Sequence, residues 1–163
     1  MQREPKIFVV VGGRGTGKTY FLEHLLHPGN TLVIELVKTN RWQGYNKVFY
    51  DDFETGSISY KDIANKKIVF EDATSYISSN MKNDLKKLII NSKQLGCDVY
   101  IVLHSMNIIP PFLYNLLNYI ILFRCAKPRQ NAHNYDYYEE IMTKWRKLER
   151  SKPYKFDTIE SKI

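Results

Sequence analysis

The sequence predicts an α/β domain, a three-layer sandwich with a mainly parallel central sheet. Three observations carry this. Short runs that are apolar on both faces alternate with helix-like segments, the pattern of a parallel sheet covered on both sides. A glycine-rich loop, VGGRGTGKT (residues 11–19), follows the first such run directly. Two later runs end in chemistry-bearing pairs, Glu71-Asp72 and His104-Ser105. Right-handed crossovers place the loops after parallel strands along one sheet edge, where ligands bind, so all three features should meet there.

The elements follow in order. Ile7–Val11 is a buried strand bounded by glycines, and Lys18 to about Leu26 is a helix ended by His27-Pro28-Gly29. Thr31–Val37 is a second strand. The polar loop KTNRWQGYN follows, and KVFYDDF, from Lys47, is a third, shorter strand. A short helix is expected at Tyr60–Asn65 and a strand at Lys66–Ala73. From Asn80 to Leu95, Met81, Leu85, Leu88, Ile89 and Leu95 share one helical face, and Gly96 is the stop. DVYIVLHS is the next strand, Pro111–Asn118 a short helix and Tyr119–Arg124 the last strand. Tyr138, Ile141, Met142, Trp145 and Leu148 mark a final amphipathic helix. One domain over residues 1–150 is expected, with 151–163 a loose polar tail.

A length of 163 residues suits one domain with a sizeable core. A formal net charge of +7 favours polyanionic partners without identifying them. Cys97 and Cys125 lie in apolar runs and read as buried free thiols in a reducing compartment, hence a cytoplasmic location. No signal peptide is expected. The longest apolar region, Ile108 to Phe123, is interrupted by Pro110, Pro111, Asn115 and Asn118, so no membrane span is expected.

GGRGTGKT fits G-x-x-x-x-G-K-[ST] from Gly12 to Thr19. Glycines let several N–H groups turn inward as a nest for phosphate, and the helix that follows adds its positive end. The nucleotide contacts assigned are Gly12, Gly13, Arg14, Gly15, Thr16, Gly17, Lys18, Thr19 and Tyr20. Lys18 is expected to reach the β- and γ-phosphates and Thr19 to ligate Mg²⁺. Arg14 touches phosphate or simply faces solvent. No guanine-reading Asn-Lys-x-Asp motif is present, and ATP is the expected nucleotide. A carboxylate on a neighbouring strand holds Mg²⁺ through water, and a second one orients and deprotonates the attacking water. IVFED supplies both.

Glycine loop, extra strand, paired-acid strand, helix and a further strand with a polar end: this order resembles the ASCE-type P-loop ATPases. The runs IVFEDATSYISSN and LKKLIINSKQLGCDVYIVLHSMNIIPPFL resemble the FtsK–HerA branch, in particular the small viral genome-packaging ATPases, over roughly Lys6 to Arg124. The resemblance implies a RecA-like P-loop NTPase fold. It departs from the family pattern in placing Glu71 before Asp72. By position Glu71 serves Mg²⁺ and Asp72 the water, and the two roles are open to exchange. His104-Ser105 stands where the family places a γ-phosphate sensor, or else caps a strand end. Lys93 stands near the place of an arginine that reaches a neighbouring subunit's nucleotide; Arg124 and Arg129 are the other candidates for that finger.

For DNA, Lys38, Arg41, Trp42 and Tyr45 offer cations beside flat rings, the pairing that tracks a strand, or an aromatic packed back on its own domain. Lys144, Arg146, Lys147 and Arg150 form a basic helix face or a merely solvated one. Tyr135, Tyr137 and Tyr138 read as packing. The leading expectation is a motor that packages or translocates viral double-stranded DNA. It would act as a homo-oligomeric ring, in the host cytoplasm or on the virion, docked on a capsid or portal-like protein. A P-loop small-molecule kinase and a phage assembly ATPase of the zonula-occludens-toxin type are the alternatives.

Overall fold

The structure is a computed structural model and describes residues 3–54, 60–78, 81 and 83–161. Among these residues seven strands form one sheet: β1 (Ile7–Val11), β2 (Thr31–Glu35), β3 (Asn46–Phe49), β4 (Lys67–Phe70), β5 (Asp98–Leu103), β6 (Tyr119–Phe123) and β7 (Phe156–Glu160), in the order β3-β2-β4-β5-β1-β6-β7. Every pairing from β3 to β6 is parallel, and β7 joins the β6 edge antiparallel. The helices are α1 (Lys18–Leu25), α2 (Tyr50–Glu54), α3 (Tyr60–Ile63), α4 (Asn83–Asn91), α5 (Pro111–Tyr114) and α6 (Tyr138–Glu149).

Alternation along the strands feeds two cores. Val9, Val11, Ile34, Phe70, Ile101 and Leu122 face the larger one, with Leu85, Leu88 and Ile89 of α4 and Ile141 and Leu148 of α6. Val10, Val33, Val69, Val102 and Phe123 face the other, with Leu22 of α1 and Trp42. This gives the expected three-layer sandwich.

Four expectations are corrected. Tyr50-Asp51-Asp52-Phe53 is the start of α2, not strand; two carboxylates in the first turn suit the positive end of a helix. The second strand ends at Glu35, and Leu36 and Val37 leave the sheet exposed. The fourth strand ends at Phe70, because Asp72 adopts a left-handed conformation (φ 49) that no strand continues through. Nor is the segment after Ser151 loose: β7 pairs with all of β6 and buries Ile159 completely.

The start of the expected 80–95 helix falls on residues 80 and 82, outside the described residues. Its end is at Asn91, and Gly96 then turns the chain with φ 72. A Cβ at Gly96 would stand 2.3 Å from Asn65 Oδ1.

The candidate nucleotide site

The glycine loop leaves β1 at the centre of the sheet. Gly12 N–H donates to Leu103 O at the end of β5 (3.1 Å), and Gly13 N–H to Arg124 O just past β6 (2.8 Å). The loop's entry is thereby pinned to both flanking strands. Gly15 and Gly17 then take φ of 71 and 98, the left-handed region that favours glycine. Gly17 caps α1 with no side-chain acceptor, so the first-turn N–H groups remain directed at the cavity. The Thr16 hydroxyl donates to Gly13 O (2.8 Å), which stiffens the turn.

Lys18 is buried, and its ammonium donates to Gly12 O (2.5 Å) and Gly13 O (2.8 Å). Burial lowers its pKa to about 8, against the opposing pull of Glu71 and Asp72. An ammonium held at such a desolvation cost favours an incoming anion.

Glu71 follows β4 and lies beside Thr19. The Thr19 hydroxyl is 3.3 and 3.4 Å from its two carboxylate oxygens. Trp42 Nε1–H donates to Oε2 at 2.7 Å. Burial pushes the Glu71 carboxyl up, while the bonds from Trp42 and Thr19 hold it down. A hydroxyl and a carboxylate side by side are hard oxygen donors of the kind Mg²⁺ takes, with phosphate oxygens and waters completing the shell. Among the described residues no group of three or more His, Cys, Asp or Glu could hold a metal ion.

Asp72 points the other way. Its Oδ1 is 2.6 Å from His104 Nε2, and His104 N–H donates to Thr74 Oγ1 at 3.0 Å. Ser105 instead accepts from Asn107 N–H and caps the turn at 106–108, so His104 is the member of the pair that lines the cavity.

The cavity is about 520 Å³ and is walled by Arg14 to Tyr20, Glu71, Asp72 and His104. Glu23, Thr39, Arg41 and Tyr154 also line it. Sequence reasoning did not assign these four to the nucleotide. Arg41 Nη1 lies 3.5 Å from Thr19 Oγ1. Tyr154 lies so close over Gly17 that a Cβ there would be 2.3 Å from its Cδ1, and its N–H donates to Thr16 O. Glu23 stands one helical turn after Thr19, a spacing that could have signalled it. For Tyr154 the sequence carries no such signal.

The remaining candidates lie apart. Lys93 pairs with Glu4, which precedes β1, at the sheet edge opposite the glycine loop, so it is no part of this chain's own cavity. Arg124 and Arg129 are exposed near the loop edge, and Arg129 N–H donates to Asn107 Oδ1. Trp42 is fully buried and cannot meet a strand of DNA. Tyr45 binds Glu23 O and Leu26 O through its hydroxyl. Lys144 and Lys147 of the basic helix face pair with Asp157 of β7, which leaves Arg146 and Arg150 exposed. Tyr137 is buried, while Tyr135 is 69% exposed. Among the described residues no helix is long and apolar enough to cross a membrane.

No protein-family model and no curated protein matches the sequence. Solved structures do match the fold. The genome-packaging NTPase B204 from Sulfolobus turreted icosahedral virus 2, in complex with sulfate, aligns at a TM-score of 0.71 and 16% identity, over 98% of this chain and 93% of that one. Its complex with AMP aligns at 0.69 and 14%, over 96% and 93%. The N-terminal domain of zonular occludens toxin from Neisseria meningitidis aligns at 0.53 and 11%, over 73% and 76%. The chain therefore has the fold of P-loop NTPases, the fold its glycine loop and paired acids predict.

Proposed function

We propose that this chain is an ATP-hydrolysing subunit of a motor that packages or translocates viral double-stranded DNA. One observation carries the reading: the glycine loop, Glu71, Asp72 and His104 line a single cavity. The likeness in fold to a viral genome-packaging NTPase over nearly the whole chain supports the motor assignment.

In this reading the loop amides and Lys18 bind the β- and γ-phosphates, and Arg14 faces the same oxygens. Tyr20 and Tyr154 offer ring faces beside the loop for the base. Thr19 and Glu71 would hold Mg²⁺, which would neutralise phosphate charge. Asp72 orients the attacking water and takes its proton as the β–γ phosphoanhydride bond breaks. His104 donates toward the γ-phosphate and reports its loss. A ring of identical subunits supplies grip and advance, since one small domain cannot do both. A head-to-tail interface that closes makes such a ring. Lys93, Arg124 or Arg129 of a neighbour then completes each site. A capsid or portal-like protein docks the ring, in the host cytoplasm or at the virion.

The test is phosphate release from ATP with and without duplex DNA across a salt series. DNA should stimulate release, and the stimulation should fade steeply as salt rises. Phosphate transfer to a metabolite, with no response to DNA, would replace this reading with the kinase. The likeness to the zonular occludens toxin domain favours a second reading, an assembly or export ATPase. It predicts hydrolysis that duplex DNA leaves unchanged.

A further inference from the structure

Trp42 combines three features that packing alone does not require together. It is a bulky residue with φ 60, a conformation such side chains adopt only when their surroundings hold them there. It is fully buried, against the α1 face of the sheet. Its polar atom is spent on Glu71 Oε2 at 2.7 Å, the same carboxylate that faces the Thr19 hydroxyl.

The loop around it is fastened at several points. Trp42 N–H donates to Glu23 Oε1 (2.6 Å), and the Thr39 hydroxyl donates to Glu35 Oε1 (2.8 Å), the buried acid ending β2. Thr39 and Arg41 line the cavity. Lys38, Gln43 and Gly44 are exposed, as is Arg41 at the rim of the cavity. One segment thus touches the metal-side carboxylate with its inner residue and presents cations to solvent with its outer ones.

We propose that Trp42 is the positioning residue for Glu71, and that through this hydrogen bond the loop 36–45 responds to metal-bound nucleotide. The inference rests on the nucleotide reading of the site. An indole N–H fixes the plane of a carboxylate that must present its other lone pairs to Mg²⁺ and Thr19. Any turn of Glu71 toward a metal is transmitted to the indole, and from there to Arg41 and Lys38.

The full chain has two tryptophans, so Trp145→Phe leaves Trp42 as the sole indole. Its emission is recorded on adding a non-hydrolysable ATP analogue with Mg²⁺, and again with EDTA, while calorimetry follows binding independently. A change in emission that needs Mg²⁺ supports the proposal. Binding by calorimetry with unchanged emission overturns it and leaves the nucleotide site standing. Absence of binding removes both.

If Trp145→Phe does not fold, the difference between the responses of the unaltered protein and Trp42→Phe gives the same signal. Trp42→Phe keeps a ring in the core and removes the donor. It should raise the Mg²⁺ concentration for half-maximal tightening roughly 10–100-fold, the effect of losing a partner that orients a metal ligand. Its nucleotide affinity in EDTA should be unchanged. Equal weakening with and without Mg²⁺ would mark Trp42 as packing only and overturn the assignment.

Discussion

His104 Nε2 and Asp72 Oδ1 meet at 2.6 Å across the ends of two adjacent strands, β5 and β4. Among the described residues His104 Nδ1, which is buried, has no hydrogen-bond partner, so the proton of a neutral ring sits on Nε2 and points at the carboxylate. The residue assigned to sense the γ-phosphate is thus bonded to the residue assigned to activate water.

Asp72→Asn should therefore retain ATP binding and lose turnover by about 10²–10⁴-fold, the range for a positioned general base. His104→Ala should also spare binding and cost about 10²–10³-fold, as for a donor aimed at developing charge. Single-turnover phosphate release beside equilibrium binding separates the two quantities. Normal turnover in Asp72→Asn with a dead Glu71→Gln would exchange the two acids' roles.

Lys18→Met should leave a folded protein that binds nucleotide poorly. Among the described residues the buried ammonium bonds two loop carbonyls, Gly12 O and Gly13 O, and burial disfavours its charge. An apolar chain of similar shape is often neutral at such a position. The melting temperature should hold within a few degrees, since Gly13 O keeps its bond from Thr16. Binding should weaken at least ~10-fold, from the loss of charged hydrogen bonds worth about 1.5–3 kcal/mol each. A melting temperature that collapses would mean that Lys18 staples the loop and does not wait for phosphate.

The parts of this site legible in the sequence are those whose chemistry is local. Gly12 to Thr19 carries loop, cation and hydroxyl in eight consecutive residues, and Glu71-Asp72 closes a strand whose apolar run is unmistakable. Trp42 was not legible, because a ring beside cations fits a nucleic-acid strand as well as a buried indole. The choice depends on the far side of the sheet, where among the described helices only α1 supplies a buried residue, Leu22, and leaves room for an indole. Tyr154 and β7 were hidden for a related reason. FDTIE has one fully buried position, Ile159, and becomes a strand only because β6 would otherwise be an open edge. Lys144 and Lys147 look like a free basic face until Asp157 is placed beside them by that same strand.

Ile159→Ala measures how far β7 belongs to the domain. Ile159 is fully buried, opposite Ile120 in the β6 ladder. Its truncation should destabilise by about 2–5 kcal/mol, the usual cost of Ile-to-Ala in a core. Urea midpoints at constant slope report it. A loss below about 0.5 kcal/mol, typical of a surface change, would return the segment to a tail.

The two cysteines should be inert in the native protein and reactive once it unfolds. Burial pushes the Cys125 thiol up to about 11 and raises Cys97 as well, against the pull of nearby backbone hydrogen bonds. The thiolate is the nucleophile, so at pH 8 the folded chain presents very little of it, while an unfolded cysteine titrates near ~8.5. Alkylation of Cys125 by iodoacetamide should run about 100-fold slower in the native state than in urea. The linkage has the same sign. Between about pH 8.5 and 11 the unfolded chain gives up protons that the folded chain keeps, so this contribution to stability is whole below about pH 8.5 and declines as pH climbs toward 11. Rapid native labelling of Cys125, located by peptide mass mapping, would place its sulfur in an open, thiolate-favouring setting beside the glycine loop, contrary to the half-buried position that raises its pKa.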